Sequence, residues 1–274
     1  MAYSNLQGLN LFYEYCDKQG IGKLPLVFVH GFACTHDDWE SQVAFFQSQY
    51  PVITLDLPGH GLSDPPEDSC SIESLGAAVA SLLNDLNLPP SVLIGHSMGC
   101  RVIVQATLDA PERVAKLILL EGSRIAGNDP QAAEQQMREH IEKVGYAAMV
   151  ESLFADMFVD GSDPTLKQRI IQRALKLPET IGAQLFVRLV GWDAGKADAA
   201  LGQITIPAYV LQSTYLNTQR VRVPLEPNEI TPWMELVQQH VPTTELDVIS
   251  GVGHFSMLEA PDVVNEKMRA FIDN

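Results

Sequence analysis

The sequence predicts an α/β fold: a mostly parallel central sheet covered by helices on both faces and interrupted by an all-helical segment. Three observations predict it. Short apolar runs, LPLVFVH (24–30), PVITLDL (51–57), SVLIG (91–95) and KLILLEG (116–122), suit strands buried on both faces. Helix-period segments separate them, and that alternation implies right-handed crossovers between parallel neighbours. From about Asn128 to Ala200 strand-like runs cease, leaving helical patterns such as QAAEQQMREHIEKV, YAAMVESLFADMF and LKQRIIQRALKL. The expected organisation is a core of residues 1–126 and 201–274, with 127–200 inserted as a helical cap.

Each element has its own warrant. LNLFYEY (9–15) is the first strand candidate, followed by turn signals at Gly20 and Gly22. Asp37 to Gln49 reads as a helix, with Trp39, Val43, Ala44 and Phe46 at helical spacing. SIESLGAAVASLLNDL (71–86) is amphipathic, and Ser71 with Ser74 offers capping chemistry. The segment after Met98 is helical to about Asp109, and Pro111 marks the break before the next strand. IPAYVLQS (206–213) and TELDVIS (244–250) resume the strands. TPWMELVQQHV (231–241) reads as a helix between them, and PDVVNEKMRAFI (261–272) closes the chain with another.

Composition narrows the function. With 274 residues, 46% of them hydrophobic, the chain can bury a core without disulfides or metals. Its 18 basic and 34 acidic residues give a net charge of −16. That field repels a phosphate backbone or an anionic membrane face, so no nucleic-acid or membrane partner is expected. No apolar run approaches the roughly 18 residues of a membrane span, and the N-terminus lacks the basic start and apolar core of a secretion signal. Cys16, Cys34, Cys70 and Cys100 lack metal-ligand spacing and read as reduced thiols, with a cytoplasmic location as the expectation.

The chemistry centres on GHSMG (95–99), a G-x-S-x-G between the strand SVLIG and a helix. In that context Ser97 sits on a sharp turn that exposes its hydroxyl, and the glycines avoid collision with neighbouring backbone. The helix N-terminus lets the Met98 N–H face a developing oxyanion. HGF (30–32) ends the first long buried strand and offers the Phe32 N–H as a second donor, with Gly31 permitting the turn. GVGHF (251–255) follows the last strand and places His254 on a loop, where a general base is needed. Asp56 and LPGHGLSD (57–64) read as turn architecture. Arg101 reads as a helix-face ion-pair partner.

The series strand–HGF, LDLPGHGLSD, GHSMG and GVGHF resembles the α/β-hydrolase fold family, from about Leu11 to the C-terminus. The resemblance implies a triad in the order Ser, acid, His. It also implies that 127–200 sits where the family inserts its cap. The family usually places the acid after the strand corresponding to IPAYVLQS, but here that loop reads TYLNTQRVRV, with no carboxylate before Glu226. Asn217 sits near the usual place, and a neutral amide is a poor substitute. Glu121, ending the strand KLILLEG, matches members that carry the acid one strand after the nucleophile. The competing readings are Glu121 paired to Arg124, Glu226 or Glu229 as the acid, or no acid.

The resemblance implies a serine hydrolase that cleaves an ester or lactone through an acyl-enzyme on Ser97, without metal or organic cofactor. The net charge of −16 disfavours polyanionic substrates, so a small or medium, largely uncharged one is expected. A Ser nucleophile argues against the dehalogenases and epoxide hydrolases of this fold. C–C bond hydrolases, perhydrolases and ligand-binding receptors that keep the triad are the alternatives. Phe154, Phe158 and Trp192, with Met137, Met149, Met157 and Phe186, give the cap large apolar surface for a substrate, or simply pack it on the core. The two arginines of QRVRV (219–223) either bind a substrate carboxylate or lie solvated in the loop.

Overall fold

The architecture of the computed structural model follows from where the apolar runs can be buried. It describes all residues except 7, 17–21, 67–69, 126, 218 and 220. Three expectations touch these positions: the Gly20 turn signal, Arg220 of the arginine pair and the 126/127 boundary lie outside or at the edge of the described residues.

Among the described residues, the strands form one eight-stranded sheet and a separate hairpin. An antiparallel edge comes first, β1 (Ala2–Leu6) pairing with β2 (Leu9–Cys16), which in turn runs antiparallel to β4 (Val52–Leu55). The remaining neighbours are parallel: β4, β3 (Leu26–Val29), β5 (Ser91–His96), β6 (Val114–Leu120), β7 (Ala208–Gln212) and β10 (Glu245–Val248). Every residue of β3, β4 and β5 is buried, as strands covered on both faces require. The expectation of a mostly parallel sheet with an α/β alternation is met. The edge strand β1 has no apolar run to mark it, since AYSNL carries Ser4 and Asn5, and it is held by pairing with β2 and by the Ser4 hydroxyl on Asp85 of α2 at 2.5 Å.

The helices of the core are α1 (Glu40–Phe46), α2 (Ile72–Asp85), α3 (Met98–Asp109), α9 (Pro232–His240), α10 (Ser256–Glu259) and α11 (Pro261–Asp273). Helix α1 packs with α11, and α2 with α3, as two layers on the sheet. The segment expected as one helix over 37–49 is instead a 3₁₀ turn, His36–Trp39, leading into the shorter α1. Asp38 is drawn into the interior there, ion-paired with Arg173, and Trp39 is fully buried. Ser71 and Ser74 form a reciprocal capping box at the start of α2.

Between β6 and β7 the chain makes five helices: α4 (Pro130–Val144), α5 (Tyr146–Ala155), α6 (Pro164–Ala174), α7 (Glu179–Gly195) and α8 (Ala197–Leu201). Asp129 and Asp163 cap α4 and α6 with prolines in the first turn, which is the expected start chemistry. After β7 the loop TYLNTQRVRV becomes a hairpin, β8 (Thr214–Leu216) against β9 (Arg222–Pro224). Among the described residues, no helix is long and apolar enough to cross a membrane.

The sheet order places β4 on one side of β3 and β5 on the other. The chain therefore reverses its winding direction between β3 and β5, and a crevice opens outside their carboxyl ends. His30 to Phe32 and Ser97 emerge at those ends.

Candidate active site

The turn after β5 holds Ser97 at φ 55° and ψ −113°, a left-handed conformation costly for a non-glycine residue. Its backbone N–H is fixed by the Leu120 carbonyl at 2.9 Å. The flanking glycines are steric requirements: a Cβ on Gly95 would strike the Gly99 carbonyl, and one on Gly99 would strike the Val29 carbonyl. A Cβ on Gly31 would stand 3.2 Å from the Ser97 Cβ. Glycine at these positions lets α3 start directly above β3, with Ser97 at its N-terminus.

Met98 follows Ser97 in the chain, and Phe32 follows Gly31, where an added Cβ would stand 3.2 Å from the Ser97 Cβ. Among the described residues, neither N–H bonds an acceptor outside its own element, and both side chains are buried. The chain turns after Phe32 through Ala33, at φ 53°, whose own N–H reaches His60 Nε2 at 3.3 Å. Asp56, expected to be architectural, accepts from the His36 and Leu62 N–H groups at 2.7 and 2.8 Å, so it braces the turn behind this site.

His254 arrives on the loop after β10, brought in by two anchors. Its N–H bonds the Met157 carbonyl at 2.7 Å, and its carbonyl accepts from His96 Nε2 at 2.9 Å. Its Nε2 stands 2.9 Å from Ser97 Oγ. Burial, with Arg222 and His96 nearby, holds its pKa well below the ordinary histidine value, so the ring is neutral.

Glu121 follows the end of β6 at φ 55°, fully buried. Its Oε2 accepts from the Ser213 N–H at 3.1 Å and lies 3.8 Å from His254 Nδ1, close but beyond hydrogen-bond length. Burial pushes its carboxyl up to about 7, against the opposing pull of Ser256, Ser213 and the Arg222 charge. Ser213 is a tie between the two: its hydroxyl also donates to the Gly253 carbonyl at 2.6 Å, beside His254.

The other candidate groups make their contacts elsewhere. Arg124 pairs with Asp198 at 2.8 Å and leaves Glu121 alone. Glu226 is exposed, and its N–H donates to the Glu229 carboxylate at 3.1 Å in a surface turn. Asn217 folds its own hairpin, accepting from the Gln219 and Val221 N–H groups at 3.0 Å each. The residue that does touch His254 from this hairpin is Arg222, whose Nη1 bonds Nδ1 at 3.1 Å and the Thr214 hydroxyl at 3.0 Å.

A cleft of about 900 Å³ opens beside the site, lined among others by Met137, Met149, Phe186, Leu216 and Arg222. Phe186 meets Phe32 edge-on at 5.0 Å, which joins the cleft to the Ser97 region. Phe154, Phe158 and Trp192, expected to contact substrate, are not among its lining residues. Phe158 stacks on Phe255 at 5.5 Å and Phe154 lies 6.2 Å from the same ring, so both buttress the His254 loop; Trp192 is buried in α7. Helical spacing identifies these side chains as apolar and leaves open whether they face the cleft or the core. Arg101, by contrast, has the ion-pair role expected of it, holding Asp193 of α7 through two hydrogen bonds of 2.6 and 2.7 Å.

A sheet of this order, with a nucleophile-type elbow after β5, defines an α/β hydrolase scaffold. The chain belongs to the alpha/beta hydrolase fold family, whose model matches residues 25–261. It is 27% identical over 252 residues to 3-oxoadipate enol-lactonase 1 of Acinetobacter baylyi, covering 90% of this chain and 88% of that protein. A non-heme chloroperoxidase of Streptomyces lividans is 40% identical over 116 residues, 41% of this chain and 41% of that one. A thermophilic esterase structure from Thermogutta terrifontis superposes with a TM-score of 0.79 at 22% identity, covering 99% of this chain and 96% of that chain. Among the curated relatives, the match to an acetoin-cleaving acetyltransferase component of Cupriavidus necator spans only 40% of that protein.

Proposed function

We propose that the protein is a serine hydrolase that cleaves a small or medium carboxylic ester or lactone through an acyl-enzyme on Ser97. The observation that carries this reading is the Ser97 hydroxyl, on a strained elbow, 2.9 Å from His254 Nε2. The buried Glu121 carboxyl 3.8 Å from His254 Nδ1, and the Phe32 and Met98 N–H groups after the ends of β3 and β5, support it. Full-length similarity to an enol-lactonase and shared fold with an esterase point to the same bond class.

In the reaction, His254 takes the Ser97 proton on Nε2 while Oγ bonds to the carbonyl carbon. The carbonyl oxygen becomes an oxyanion held by the Phe32 and Met98 N–H groups, each contributing on the order of 3 kcal/mol. The imidazolium, stabilised by Glu121 at Nδ1, returns its proton to the leaving alkoxide as the C–O bond breaks. Water then gives a proton to His254 and its oxygen to the acyl carbon, and the acid departs as Ser97 regains its proton. The helices of 127–200 cap the crevice and shape the acyl site through Met137, Met149 and Phe186.

Steady-state hydrolysis of short p-nitrophenyl esters tests this directly. Wild-type turnover that falls to background in Ser97→Ala is expected; activity surviving in a folded Ser97→Ala protein overturns the assignment of the nucleophile.

A further inference from the structure

Arg222 is the feature that the reaction does not account for. A guanidinium donates hydrogen bonds and accepts none, so the 3.1 Å bond from its Nη1 to His254 Nδ1 requires Nδ1 to be unprotonated. The neutral ring then carries its proton on Nε2 and donates it to Ser97 Oγ. A base holding that tautomer cannot accept the serine proton, and Glu121 has no N–H on Nδ1 to receive. The arrangement is a resting state.

Several observations bear on what would release it. Among the described residues, no carboxylate lies within ion-pair distance of Arg222, whereas Arg101, Arg124 and Arg173 each hold one. Its Nε–H is buried without a partner. Burial pulls its pKa down to about 10, with Glu121 and Asp156 only partly opposing, so the cation sits in an environment that a nearer anion would improve. Arg222 also lines the cleft that runs past Met137, Met149 and Phe186. It stands on β9 of the hairpin that occupies the loop after β7, where the family usually carries its acid.

We propose that Arg222 is a specificity residue that locks His254 in the unproductive tautomer until a carboxylate on the acyl part of the substrate, bound in the cleft, draws the guanidinium away. With Arg222 withdrawn, the ring loses its Nε2 proton to water and gains one on Nδ1, staying neutral overall. Nδ1–H then faces Glu121 and Nε2 is free to accept from Ser97. The preferred substrate class is an ester or lactone carrying a second, free carboxylate a few methylenes from the reacting carbonyl. This rests on the serine hydrolase reading and revises the uncharged substrate expected from the net charge: a local cation at the reacting end outweighs a diffuse and screened surface field.

The test compares p-nitrophenyl hemiglutarate with p-nitrophenyl pentanoate on wild type, Arg222→Met and Arg222→Lys. Wild type is expected to favour the hemiglutarate by about tenfold or more in kcat/KM, the scale of one charge-assisted hydrogen bond. Arg222→Met should lose that preference and gain several-fold in kcat on the pentanoate, because His254 is unlocked, while Arg222→Lys keeps part of the preference. An equal loss on both esters in folded Arg222→Met, or an unchanged preference, overturns the proposal. Calorimetric titration of glutarate into Ser97→Ala separates this inference from the underlying reading, since it needs no turnover. Binding that disappears in Ser97→Ala/Arg222→Met supports the carboxylate site even if another residue proves to be the nucleophile, and binding that is absent or unaffected by Arg222→Met overturns it.

Discussion

At the residue scale, Glu121 shows how function and stability oppose each other in one side chain. Its carboxyl is raised to about 7 by burial, above the 4.5 of an ordinary glutamate. A raised folded-state value means that the unfolded chain gives up its proton first as pH rises. The contribution to stability is therefore fully present below about 4.5 and lost as pH passes through about 7. Glu121→Gln cannot ionise, so it should be more stable than wild type at pH 8, by up to about 3 kcal/mol, with the gap nearly closed at pH 5. Urea unfolding at the two pH values measures this. The same substitution removes the stabiliser of the imidazolium and should cost kcat on the order of 10³-fold or more. A Glu121→Gln protein that is active, or destabilised equally at both pH values, contradicts the role given to this carboxylate.

At the element scale, the crevice depends on how α3 is tied to the inserted helices. Arg101, one turn after Ser97, and Asp193 of α7 are both almost fully buried and meet in a two-pronged ion pair. Asp193 also accepts from the Ile125 N–H at 3.0 Å, and Arg101 donates to the Ser97 carbonyl at 3.3 Å. Asp193→Ala leaves a buried guanidinium unpaired and should destabilise by about 3–5 kcal/mol, read from the urea midpoint. A cost below about 1 kcal/mol would mean that the helices hold together by apolar contact alone.

These elements also divide what the sequence makes legible from what it does not. Ser97, His254 and the parallel strands are readable because local chemistry dictates them: glycines that admit an elbow, and apolar runs that suit only a doubly covered sheet. The contact of Glu121 with His254 required noticing an absence, the missing carboxylate after β7. Arg222 was visible only as one of two loop arginines, since its reach to His254 depends on the β8–β9 register, in which Leu216 pairs with Arg222. The aromatic residues of the insertion read as substrate surface or as packing on the core, and Phe154 and Phe158 lie against Phe255. Helical periodicity does not distinguish a face packed on a loop from a face turned to a cleft.

At the scale of the whole molecule, strand order and site agree. The winding reverses between β3 and β5, and Phe32, Met98 and the Ser97 hydroxyl follow the ends of those two strands. Glu121 and Ser213 come from the next two strands in the sheet, and His254 from the loop beyond the last. Under the proposed mechanism, release of Arg222 from His254 Nδ1 and a tautomer change at that ring make this constellation competent. The claim on which all of this depends is that Ser97 forms the covalent intermediate. Intact-mass analysis after brief reaction with a p-nitrophenyl phosphonate, followed by peptide mapping, tests it most directly. The account predicts one phosphonyl group per chain, on Ser97, and none on Ser97→Ala. A label on any other residue, or unlabelled protein that still turns over esters, would contradict it.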